Sequence, residues 1–289
     1  MDLAFRNPWD ILTEEKLPVG KVVKQAVDWL TTNASGLFDA ISAVLSGVIS
    51  AILAVIQFPH PFFAILAIAA LSWWLRRSIG FTVFVVAGLL FIVNQGYWKE
   101  TTETLALVLA SAFVCMALGV PLGIAAARRP WLNTAMRPVL DLMQTIPTFV
   151  YLIPALILFG LGMVPGLIAT VIFALPASIR LTHLGISTTP TALIEAAESF
   201  GATPWQRLVK VEIPYALPQI LAGLTQTIML SLSMVVIAAL VGANGLGTPV
   251  VRALNSVNVG MGFTAGLAIV LLAIILDRLC RSDEKKALR

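Results

Sequence analysis

Charged side chains are missing from six long stretches of this 289-residue chain, at residues 40–75, 78–98, 104–127, 142–179, 213–251 and 253–276. A helix needs about 20 apolar residues to cross the hydrocarbon of a bilayer, so the longest stretches must hold a turn or a tail outside it. The pattern predicts seven spans, at residues 62–76, 79–95, 103–127, 137–160, 165–183, 217–242 and 261–278. Between residues 37 and 56, Ile41, Val44, Leu45, Val48, Ile49, Ile52 and Ile56 form one stripe, with Ser42, Ser46, Gly47, Ser50 and Ala54 opposite. That one-sided pattern fits an interfacial helix as well as a spanning one, and in the second case the count is eight. Ahead of it, Lys21, Lys24 and Asp28 alternate with Val22, Val23, Ala26, Trp29 and Leu30 as in a helix on a membrane surface.

Composition agrees with this reading. Only 12% of residues are charged and the mean hydropathy is +0.92, against about 25% charged residues in soluble domains. An all-α, polytopic membrane protein is expected. Residues 1–16 show no basic start followed by an apolar run, so no cleavable signal is expected. The basic pairs Arg76-Arg77 and Arg128-Arg129 orient the spans, because such residues stay in the cytoplasm. Residues 94–103 and 242–260 then lie outside, and residues 180–214 and the basic tail 281–289 inside, with Arg252 as a dissenting charge. The net charge of +4 is small and sits at span ends, which argues for topology and not for nucleic acid. Four regions follow: an N-terminal amphipathic segment at 1–60, two accessory spans in 61–99, a core at 100–280 with a cytoplasmic loop at 184–214, and the tail.

The cytoplasmic loop carries its own local signals. Thr189-Pro190 reads as an N-cap followed by proline at the first helical position, residues 191–200 as a short helix, and Gly201 as its left-handed terminator. Thr203-Pro204-Trp205-Gln206 repeats the device, with Gln206 placed to close a capping box. Two short helices on a glycine hinge are expected. Ala196 and Ala197 would permit close approach of another backbone, and Glu195, Glu198, Arg207 and Lys210 offer charged hydrogen bonds.

The order Glu195-Ala196-Ala197, then Gly201, then Val211-Glu212-Ile213-Pro214 resembles the signature of permease subunits of bacterial ABC importers, with the spacing kept in full. Over about residues 100–280, segments such as residues 140–147, Phe173-Ala174-Leu175-Pro176 and residues 274–279 look like the glycine betaine/proline (quaternary amine) importer permeases. The resemblance implies a type I importer permease fold in which the loop is a coupling helix seated in a cytoplasmic ATPase. Glu195, Ala196, Ala197, Gly201, Pro204, Arg207 and Pro214 are the coupling residues it implies. It also implies a dimer of permeases in the bacterial inner membrane, two ATPase subunits that hold the ATP and magnesium, and a separate external substrate-binding protein. Choline, proline or histidine remain alternative cargoes, and an ion-coupled secondary transporter is a further alternative. For that one, broken helices with mid-depth ionisable residues and a repeat would be expected.

Inside the membrane, Asp141 is the one ionisable candidate, either functional or paired with Arg137 four residues earlier. Gln144, Thr145, Pro147, Thr148 and Tyr151 interrupt one span, and Thr225, Gln226, Thr227, Ser231, Ser233 and Met234 another. These groups fit a polar translocation path or hydrogen bonds between helices equally well. Gly242, Asn244, Gly245 and Gly247 suit a loop or gate and lack the remaining pattern of a phosphate loop. Trp73-Trp74 reads as an interfacial anchor, Cys115 and Cys280 as structural, and His60 and His183 have no companions at metal-ligand spacing. No catalytic constellation and no nucleotide-binding motif is visible, so neither a reaction nor a cofactor is expected in this chain.

Overall fold

The computed structural model describes residues 18–280, and the expectations for residues 1–16 and for the tail lie outside the described residues. The described residues form helices without a strand: α1 (Val19–Asn33), α2 (Ser35–Gln57), α3 (Pro61–Arg76), α4 (Ile79–Asn94), α5 (Trp98–Arg128), α6 (Pro130–Thr145), α7 (Thr148–Phe159), α8 (Met163–Ser187), α9 (Thr191–Ser199), α10 (Pro204–Arg207), α11 (Ile213–Ala239), α12 (Gly247–Asn255) and α13 (Val259–Cys280). Five are long and apolar enough to cross a membrane: α2, α5, α8, the continuous run Pro204–Ala239, and α13.

One expectation about spans is corrected. Residues 137–160 are not one helix: α6 and α7 meet at 94°. The cause is Pro147, which lacks an N–H and drives Ile146 into extended backbone (ψ 129°). Helices α3 and α4 are shorter than the other expected spans, with 16 residues each. At 1.5 Å per residue that is about 24 Å, short of the roughly 30 Å hydrocarbon core. They form a tight hairpin through Arg77, left-handed at φ 47°, and Ser78, whose hydroxyl caps Phe81 N–H at 3.4 Å.

The α3/α4 hairpin packs on the core through Ile65, Val85, Leu89 and Ile92, which meet Val108 of α5, Ile228, Leu232 and Val235 of α11, and Leu272 and Ile275 of α13. Helices α5 and α8 approach closely. A Cβ on Gly119 would overlap the Ser178 side chain, and one on Gly123 would stand 2.6 Å from Thr182 Cβ and 2.7 Å from the Ile179 carbonyl. This is a small-xxx-small contact, in which missing side chains let two backbones touch. Ser178 Oγ uses that closeness to donate to the Cys115 carbonyl at 3.0 Å. Further along α8, Gly185 admits Ala216 and Gln219 of α11.

The two ends of the bundle differ. At one end Arg76 donates to the Arg278 carbonyl and Arg128 to the Pro204 carbonyl at 3.2 Å, so the basic residues gather there. At the opposite end Leu246 N–H donates to Thr104 Oγ1 at 2.8 Å and Gly162 N–H to the Val241 carbonyl at 2.9 Å. The Gly-rich stretch is a turn here, with Gly242 and Gly245 at positive φ (85° and 135°), before α12 leads into α13.

Helix α2 touches this opposite end twice. Phe38, near its start, stacks edge-on against Phe159 at 5.4 Å, and Gln57, its last residue, donates to Thr102 at 2.8 Å. Between them Ile49 is buried among Leu107, Ala110, Leu167, Ala238 and Ala243. Its packed face is rotated from the expected stripe: Leu45, Val48, Ile49 and Ile52 pack, while Val44 is 66% exposed.

Candidate functional site

The loop between α8 and α11 is held by bonds that its residue types prescribe. Helix α9 ends in a Schellman arrangement: Gly201 at φ 76° lets its N–H reach the Glu198 carbonyl (2.9 Å) and Ala202 N–H reach the Ala197 carbonyl (3.0 Å). Two residues on, the expected capping box is complete. Thr203 Oγ1 accepts from Gln206 N–H at 3.3 Å, and Thr203 N–H donates to Gln206 Oε1 at 2.9 Å.

The start of α9 differs from expectation. Pro190 (ψ 132°) holds the N-cap position and Thr189 caps nothing, its hydroxyl being buried without a hydrogen-bond partner among the described residues. A second correction concerns the hinge. Only α9 is a separate short helix, because α10 runs through a π turn, Leu208–Glu212, into α11. Pro214 has no N–H to offer the preceding turn, and Ile213 N–H bonds the Leu208 carbonyl five residues back.

None of the residues of α9 is buried. Glu195 and Ala196 face outward and Ala197 is half-buried, as is Arg207, while Pro204 and Pro214 are exposed. On α9 and in the residues that follow it, three apolar side chains are uncovered, Leu193 (45% exposed), Phe200 (92%) and Trp205 (70%).

The charges behind this surface form a chain. Arg207 donates to Glu198 Oε1 and, through Nε, to Glu212 Oε1 at 2.8 Å; Arg128 at the end of α5 donates to Glu212 Oε2 at 3.1 Å. Glu198 and Arg207, expected to offer bonds outward, thus engage each other. Glu212, 5% exposed, carries no role in the sequence reading. Arg207 and Glu212 are five apart, not a spacing that shares a face of an α-helix. The π turn brings them together.

The expected path residues separate into two groups. Gln226 and Ser233, seven residues apart on α11, are exposed, as is Thr145, and Gln144, Thr148 and Thr225 are half-buried. Ser231 and Met234 lie in the packed core instead: Ser231 donates to the Thr227 carbonyl at 2.8 Å, and Met234 packs with Leu152, Ala169 and Val241. They face away from the open side, since positions 226 and 233 share one face of a 3.6-residue helix and 227, 231 and 234 another. Tyr151 is half-buried, its hydroxyl without a partner among the described residues. Asp141 pairs with Arg180 of α8 at 2.6 Å, not with Arg137.

Residues 119–286 match the family described as the inner membrane component of binding-protein-dependent transport systems. The chain is similar to the glycine betaine/carnitine transport permease protein GbuB of Listeria monocytogenes, 46% identical over 94% of this chain and 97% of the relative. The glycine betaine transport system permease protein OpuAB of Bacillus subtilis is 45% identical over 94% and 96%. The glycine betaine/proline betaine permease ProW of Escherichia coli is 43% identical over 96% of this chain and 78% of its own. Among solved structures, an inward-facing form of the MetNI methionine ABC transporter superposes with a TM-score of 0.57 at 25% identity, covering 67% of this chain and 96% of that one. The chain belongs to this family. It is a multi-pass inner-membrane permease component of an ABC importer, with the all-helical type I fold.

Proposed function

We propose that two copies of this chain form the membrane pathway of an importer for glycine betaine or a related quaternary amine, driven by two ATPase subunits docked on residues 190–213. The observation that carries the reading is the outward-facing α9, none of it buried, with Glu195 exposed and Leu193, Phe200 and Trp205 uncovered on it and just after it. Large apolar side chains beside a charge are the usual anchors of an interface. The basic end is then cytoplasmic, and a substrate-binding protein meets the opposite end. ATP and magnesium belong to the ATPase, and this chain performs no chemistry of its own. The names of the relatives support the cargo, and the exposed face of α11 with Gln226 and Ser233 supports a path between two copies, because an amide facing lipid is costly.

Reconstitution in proteoliposomes tests the reading. Uptake of labelled glycine betaine is expected only with ATPase, ATP and binding protein together. Uptake on an ion gradient alone refutes it, and ATP-driven uptake of histidine or proline in its place overturns the cargo. Within the reconstituted system Gln226→Leu is expected to lower uptake severalfold at unchanged ATPase binding. The volume-conserving Met234→Leu in the packed core is expected to stay within about twofold, since such swaps cost under about 1.5 kcal/mol.

A further inference from the structure

The charge chain beneath the loop has its ends in different helices. Glu198 belongs to α9, Arg207 to the start of the continuous helix, Glu212 to its π turn, and Arg128 to the last residue of α5. The backbone already ties α9 to its neighbours in sequence, α8 and α10. It does not tie the loop to α5, because Arg128 lies 84 positions before Glu212. Side chains do so twice: Arg128 grips the Glu212 carboxylate and, at 3.2 Å, the Pro204 carbonyl in the first turn of α10.

A π turn breaks the regular ladder of a long helix and often marks a functional site. Movement of the exposed loop would be absorbed at Leu208–Glu212 unless that turn were braced. Glu212 is placed to brace it, with a guanidinium on each carboxylate oxygen and its side chain 5% exposed. Planar guanidinium groups hold such bonds in a fixed orientation. The α5 end of the brace continues into the Gly119/Gly123 contact with α8.

We infer that Glu212 and Arg128 are positioning residues for energy coupling, the joint that makes α5 move with the loop and with α11. This rests on the loop being the ATPase-docking element. The neutral pair Arg128→Gln with Glu212→Gln removes the joint without stranding one charge of the pair, and Arg128→Lys keeps the charge. In proteoliposomes with ATPase and binding protein, the double variant is expected to assemble in wild-type amounts and to hydrolyse ATP at half the wild-type rate or more. Its uptake per ATP hydrolysed is expected to fall at least fivefold, with Arg128→Lys recovering most of it. Unchanged uptake per ATP in the double variant overturns the inference. So does loss of the ATPase from the complex, which would make the joint a support for docking alone. The underlying reading fails separately, if wild-type uptake itself needs no ATPase.

Discussion

Gly201→Asp is expected to leave the permease folded and in the membrane while lowering ATP-driven uptake at least tenfold. The two halves of that result have different causes. A Cβ at Gly201 meets nothing within 4 Å, so the permease has room for the new side chain. The cost within the chain is that of the left-handed backbone at φ 76°, about 1–2 kcal/mol and less for Asp and Asn than for other residues. The same openness leaves the residue in the surface assigned to the ATPase, where an unpaired buried charge costs about 2–5 kcal/mol. At about 1.4 kcal/mol per tenfold, even the lower figure exceeds one decade. Gly201→Asn, which tolerates the same backbone without the charge, is expected to retain much more uptake. Uptake and ATPase co-purification measured on both variants check this; normal uptake in the aspartate variant would remove the loop from the transport mechanism.

Gly123→Leu is expected to prevent correct folding. Here even the first added carbon stands 2.7 Å from the Ile179 carbonyl and 2.6 Å from Thr182 Cβ, and the backbone oxygen cannot rotate away. Helices α5 and α8 would have to separate along the contact that also holds Gly119 against Ser178. Overpacking typically costs about 1–3 kcal/mol and occasionally more, and for three carbons beyond Cβ the upper end applies. Gly266→Ala in α13 is the control, as nothing lies within 4 Å of its added Cβ. Monodisperse protein recovered in detergent is expected to be near wild type for Gly266→Ala and a small fraction of it for Gly123→Leu.

Much of the loop was legible because its signals are local. Thr203 and Gln206 form the bonds their spacing foretold, and Gly201 adopts the backbone that only a residue without Cβ takes readily. Other readings failed where the competing interaction came from elsewhere in the chain. Asp141 found Arg180 across a helix contact instead of Arg137 on its own helix. For Ser231 and Met234, which fit a path or a packing role equally well by sequence, the fold put them on the face of α11 turned to the core. Pro147 was expected to kink a span and instead ends one helix and begins another. Hydropathy does not register that difference, because apolar composition is the same on both sides of a break.

By itself, the sequence determined that the protein is a helical membrane protein and where its loop begins and turns, and its motif spacing pointed to the family. Those properties depend on side-chain hydrophobicity and on hydrogen bonds spanning a few residues. Tertiary structure decided which faces meet. It brought Gly119 and Gly123 against Ser178 and Thr182, widened one helical turn so that Arg207 and Glu212 share a side, and set Arg128 beside them. Contacts of this kind join residues far apart in the chain, and they depend on helix rotation and close backbone approach, which no local pattern encodes.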